Sequence, residues 1–155
     1  MSKRLIAMLA AVIAVALVAA GCGSSDDETE SGALTKVEFI KQGDAICKQG
    51  SEQIEEDVDE FAKENDVDTS NPSQEEQEEV ILTAVVPSLQ TQADELNDLS
   101  APSGEEAEIA AIVEALEAGI EKIEDDPGTL AQAGGGPLAK ANELAGEYGF
   151  EECGQ

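Results

Sequence analysis

The sequence contains no histidine and no tryptophan, only one tyrosine and three phenylalanines, and three cysteines. Without histidine there can be no Ser-His-Asp or Cys-His nucleophile pair and no histidine-containing metal site. Cationic side chains are scarce: 8 Lys and Arg stand against 35 Asp and Glu, a net charge of −27 over 155 residues. That balance excludes nucleic acid as a partner, because neutralising phosphate takes clustered lysine and arginine. A glycine-rich phosphate loop is missing, since Gly134-Gly135-Gly136 lacks the preceding strand and the Lys and Ser/Thr that such loops carry. Asp66-x-Asp68-x-Ser70 opens like a calcium loop but has Asn71 where glycine is needed and Gln77 where the bidentate glutamate belongs. The sequence therefore specifies no metal site, no cofactor and no catalytic group, and predicts a protein that is not an enzyme. No run alternates apolar and polar residues as a half-buried strand would, so the fold class is all-α.

What is present begins with Lys3 and Arg4, followed by an uncharged apolar run from Leu5 to Ala20. A short basic region, an apolar stretch and small residues at its end mark a secretory signal. The run is short of the roughly 20 residues that span a bilayer. It closes with Val18-Ala19-Ala20-Gly21-Cys22. Small residues before a cysteine resemble the signal of a bacterial lipoprotein, with Ala19 where such signals more often carry leucine. The resemblance implies that a lipid is attached to the Cys22 sulfur, that residues 1–21 are removed, and that Cys22 becomes the first residue. An uncleaved anchor helix and ordinary cleavage leaving a free thiol are the alternatives. Each buried CH₂ contributes about 0.8 kcal/mol, so one acyl chain holds weakly and two or three hold stably. With Lys3 and Arg4 gone, every remaining cationic side chain is a lysine.

Residues 22–33 are rich in Gly, Ser and acids and predict a disordered, lipidated tether spanning roughly 17 Å. Residues 34–155 predict a helical bundle domain. Thr35 with Glu38 is a capping box, and Leu34 with Phe39 is the matching hydrophobic staple. An apolar stripe then runs through Phe39, Gly43, Cys47, Gly50, Ile54, Val58 and Phe61 to a helix end near Lys63. Gly43 and Gly50 lie on that stripe, where they would let a neighbour pack closely. Ser73 with Glu76 is a second capping box, ahead of a stripe through Ile81, Val85, Leu89, Ala93 and Leu96. Pro87 interrupts that stripe and predicts a kink or short break, because it lacks an N–H and clashes with the carbonyl of Thr83. Ser103 with Glu106 reads as a third box before Ile109, Ile112, Val113, Leu116, Ile120 and Ile123. After a Gly-rich loop, Pro137 suits the first turn of a fourth helix. Gly149 suits its stop, with Phe150 folding back. Four amphipathic helices imply an antiparallel bundle with a thin core.

Export places Cys47 and Cys153 in an oxidising compartment, which predicts a disulfide; two separate buried thiols are the alternative. Phe39-Ile40 with Asp44-Ala45-Ile46-Cys47, then Val85-Val86-Pro87, Leu99-Ser100-Ala101-Pro102, and Tyr148-Gly149-Phe150 with Cys153-Gly154 together resemble a group of small secreted or lipid-anchored helical proteins of actinobacteria. That resemblance implies the fold and the Cys47–Cys153 pair and supplies no activity.

The charge pattern predicts a polar molecule. The end of helix one, the start of helix two and the end of helix three gather carboxylates at one end, while Lys36, Lys41 and Lys48 lie toward the tether and predict a slightly basic membrane-facing end. The expected function is that of an envelope lipoprotein on the extracytoplasmic face of the membrane, acting as a non-enzymatic binding or interaction module. Its partners would be the membrane, through the lipid, and an envelope protein or cationic partner. Two alternatives are a carrier of a small apolar ligand in the bundle core, which needs a cavity of several hundred Å³, and weak divalent-cation binding by the acidic distal end.

Overall fold

The computed structural model describes residues 32–131 and 136–154. The expected signal 1–21 and the tether up to residue 31, Cys22 included, lie outside the described residues. Among those described the structure is helical throughout, with no strand. Helix α1 is Lys36–Glu64, α2 is Gln74–Val80, α3 is Val86–Asp98, α4 is Glu106–Asp125 and α5 is Ala139–Tyr148. A π-helical turn, Ile81–Val85, joins α2 to α3 without a break, so the bundle has four helical rods.

Two of the three expected capping boxes form. Glu38 donates its backbone N–H to the Thr35 hydroxyl at 3.3 Å, and its carboxylate accepts the Thr35 N–H at 3.0 Å. Ser73 and Glu76 repeat the arrangement at 3.2 and 2.7 Å. The hydroxyls and then the backbone N–H groups of Thr35 and Ser73 hold the two glutamates below the usual carboxylate range. The third box does not form. Gly104 takes φ +86°, and Glu105 donates its N–H to the Pro102 carbonyl at 3.0 Å. This is the conformation a glycine favours at the third position of a tight turn. The turn draws Ser103 away from the helix, which starts after Glu105 with no side-chain cap. The Glu106 carboxylate is instead held low first by the Gly104 backbone N–H and then by its own.

Pro87 neither breaks nor ends its helix. One extra residue in the preceding turn lets Val86 donate to Ile81, five residues back, where Pro87 has no N–H to offer. A widened turn of this kind is a common way for a helix to absorb a local insult. The rod continues into α3, whose buried residues form two adjoining faces rather than one. Leu89, Ala93 and Leu96 were legible from the stripe; Val86, Ser88 and Gln92 were not. The reason is position: α3 lies between α1 and α4 and packs on both.

The core is a column of three apolar clusters. At one end Phe39, Ile109, Ile112, Ala145, Tyr148 and Phe150 meet. Cys47, Leu96 and Val113 form the middle. Val86, Leu89, Ala93, Ile120 and Ile123 form the other end. Three of the four aromatics sit together, with ring centroids 5.5–6.0 Å apart. Gly149 stops α5 at φ +118°, and Phe150 folds back, donating its N–H to the Ala145 carbonyl at 3.0 Å. Its ring lies on Gly43, where a Cβ would come within 2.3 Å of Cε1. Gly50 does the same for α3: Ser88 donates its hydroxyl to the Gly50 carbonyl at 3.1 Å, and Gln92 covers the Cα.

Cys47 and Cys153 are joined in a disulfide, Cα to Cα 5.3 Å, across 106 residues of sequence. By the chain-entropy argument such a closure removes about 4–5 kcal/mol of unfolded-state freedom. In a background carrying Cys22→Ser, to prevent thiol exchange, adding Cys153→Ser should lower the unfolding free energy by about 2–5 kcal/mol. Urea unfolding of the oxidised and substituted proteins measures it. Gly43→Ala should cost about 1–3 kcal/mol through the clash with Phe150. Combining it with Phe150→Leu should cost less than the sum of the two changes.

Candidate functional site

The candidate site residues of the sequence fall in three places. Cys22, the expected lipid attachment point, is outside the described residues. Cys47 and Cys153 are joined to each other, and the tail they secure is also held by Asp44, whose Oδ1 accepts the N–H of Glu151 at 3.0 Å and of Glu152 at 2.8 Å. The expected acidic end is formed by the far half of α1, by α2 and by the end of α4.

Beside the disulfide, a crevice of about 130 Å³ runs between α1, α3, α4 and α5. Its walls include Ile54, Leu89, Leu96, Ile112, Leu116 and Leu138. Typical small-molecule sites enclose about 300–1,000 Å³, so the space is smaller than the carrier alternative called for. Gln92 lines it, and the amide nitrogen of Gln92 is buried with no hydrogen-bond partner among the described residues.

The tether end carries a compact polar cluster that sequence reasoning missed. Tyr148 donates its hydroxyl to Glu105 Oε2 at 2.5 Å. Lys36 Nζ lies 3.4 Å from the same oxygen and 3.8 Å from the centroid of the Tyr148 ring. This is a salt bridge and a cation–π contact sharing one cation. The three residues come from the start of α1, the start of α4 and the end of α5, and no spacing in the sequence announces their meeting. Lys36 and Tyr148 border an open groove of about 440 Å³ with Glu108 and Glu147 on its rim. The expectation of a slightly basic tether end fails here. Glu38, Glu105, Glu106 and Glu108 share this end with the lysines, because it also holds the first turn of α4, where acids suit the helix dipole.

The far end is an arm formed by α2 and the second half of α1. No side chain from Ser51 to Val80 is buried. Neutral amides as well as cations answer its carboxylates: Gln53 donates to Asp57 at 2.7 Å, and Gln74 to Glu78 at 2.7 Å. Lys63 reaches Asp59 only at 3.9 Å. The segment that opens like a calcium loop is a local turn, Asp68 Oδ1 accepting the Ser70 N–H at 3.0 Å. Among the described residues no three acidic or cysteine side chains gather closely enough to hold a metal ion. Between the two helices lies an apolar groove of about 160 Å³, bordered by Val58, Phe61, Val67, Pro72 and Val80.

Burial, and then the hydrogen bond to Glu105 and the nearby carboxylate charge, hold the Tyr148 hydroxyl well above its ordinary 10.0. A raised folded value means that the stabilisation is complete below the unfolded phenol's value and is lost as pH rises beyond it. Stability should therefore fall above about pH 10, the ordinary phenol range, and Tyr148→Phe should flatten that fall. Tyr148 is the only tyrosine, so ultraviolet titration of the folded protein should show a single phenol ionising later than in the unfolded chain. Comparison of the chain with protein-family models, with curated proteins and with solved structures found no match.

Proposed function

We propose that this protein is a lipid-anchored envelope protein, held on the extracytoplasmic face of the membrane through Cys22 and acting there as a non-enzymatic interaction module. The observation that carries the reading is the pairing of Cys47 with Cys153. A disulfide suits an exported protein. It uses two of the three cysteines, and the third is the one that ends the signal-like segment. Acylation of Cys22 would then leave no odd thiol in an oxidising compartment.

The geometry of the bundle supports the same reading. The chain enters it at Leu34, whose N–H donates to the Ser100 carbonyl at 3.3 Å, at the end where α3 finishes and α4 begins. The arm projects from the opposite end of α1, a helix of 29 residues and therefore about 43 Å long. A tether at residues 22–33 would thus hold one end near the bilayer and present the acidic arm outward. The dense negative charge would add repulsion from an anionic surface.

Detergent phase partition of the full-length protein, made in a bacterial host that processes lipoproteins, tests the anchor. The unaltered protein should enter the detergent phase, with a fatty-acid mass increment on its first peptide, and Cys22→Ser should move it to the aqueous phase. Partition of both forms into water, with no added mass at Cys22, would overturn the reading.

A further inference from the structure

The arm departs from the rules of local consistency in three ways. It holds Val58, Phe61, Val67 and Val80 and leaves each of them only half-buried. It sets like charges one helical turn apart, at Glu55 and Asp59, Glu56 and Glu60, and Glu60 and Glu64, where each pair repels. It also crowds acids toward the C-terminus of α1, where they oppose the helix dipole. Among the described residues its only ion pair is Lys63 with Asp59. A sequence that gives up stability at one place, with no gain inside the fold, marks a place selected for something else.

The gain would come from outside. The apolar groove between Phe61 and Val80 remains open, and the helices and loop around it carry Asp57, Glu60, Asp66, Asp68, Glu75 and Glu79. A second copy of this chain would bring its own −27 charge against this acidic arm. An anionic membrane or a nucleic acid would be repelled in the same way. A polycation without apolar groups would leave the groove empty. We propose that the arm groove docks a basic amphipathic segment of a partner protein, an aliphatic or aromatic side chain entering beside Phe61 while lysines or arginines meet the surrounding carboxylates. This rests on the interaction-module reading but not on the lipid: a positive field attracted to the arm would speed encounter, and the groove would supply register.

The test uses the full chain, in zwitterionic nanodiscs where it carries lipid and in plain buffer where it does not, so that failure of docking is separable from failure of the anchor. The probe is a 12-residue synthetic peptide of six lysines and six leucines in helical amphipathic spacing, with a hexalysine peptide and empty nanodiscs as controls. In calorimetry at about 0.15 M salt the amphipathic peptide should bind saturably and at least about tenfold more tightly than hexalysine. Amide shifts in nuclear magnetic resonance should concentrate at Val58, Phe61, Val67 and Val80. Ala62→Met, which fills the groove with a good helix former, should weaken the amphipathic peptide about tenfold and leave hexalysine unchanged. The quadruple change Glu60→Gln, Glu64→Gln, Glu75→Gln and Glu79→Gln should weaken both peptides while raising the melting temperature. Equal affinity for the two peptides, or an amphipathic peptide indifferent to Ala62→Met, would reduce the interaction to bulk charge and overturn the proposal.

Discussion

The disulfide between Cys47 and Cys153 is the constraint on which the rest of the fold depends. The last helix has only ten residues, and it packs mainly on α4. A helix that short is marginal in water on its own. Nothing in its own turns brings the tail back to α1. The covalent bond does so, beside a carboxylate that takes two tail N–H groups and a phenylalanine seated on a glycine. These three devices close the bundle from its first helix to its last. A core with so few aromatics benefits from that closure, because the entropy removed from the unfolded chain substitutes for apolar area the folded chain does not have.

Charge is used unevenly at two ends that are both acidic. Near the tether, carboxylates are used: Glu38 caps a helix, Glu105 accepts the Tyr148 hydroxyl and pairs with Lys36, and Asp44 fastens the tail. In the arm Glu76 caps α2 and Asp68 holds a turn, while Asp57 and Glu78 take glutamine amides and Asp59 a distant lysine. The same residue type thus builds structure at both ends and accumulates repulsion along α1 in the arm. The first use depends on hydrogen-bond geometry, which salt barely touches. The repulsion depends on long-range Coulomb terms, which salt screens.

Features that depend only on neighbouring residues are legible in the chain. A serine or threonine three residues ahead of a glutamate can close into a box through local hydrogen bonds alone, and the boxes at Thr35 and Ser73 do so. The stop at Gly149 followed from its freedom to take positive φ. The box at Ser103 failed because Gly104 offered a competing local solution, a tight turn. Pro87 marks a disturbance, and its outcome is a π-helical turn ahead of a helix that continues between α1 and α4.

The sequence by itself determined the helical class, the starts of α1 and α2, the stop of α5, the single buried stripes of α1 and α4, and the excess of acid. Each depends on residues within a few positions of one another. The pairing of Cys47 with Cys153 was expected from the sequence and is present; the tertiary structure decided which second face of α3 is buried, and where Ser88, Gln92 and the Tyr148–Glu105–Lys36 cluster find their surroundings. Those outcomes depend on groups 38 to 112 residues apart in the chain, and proximity at that separation is set by the packing of whole helices rather than by any spacing a sequence displays.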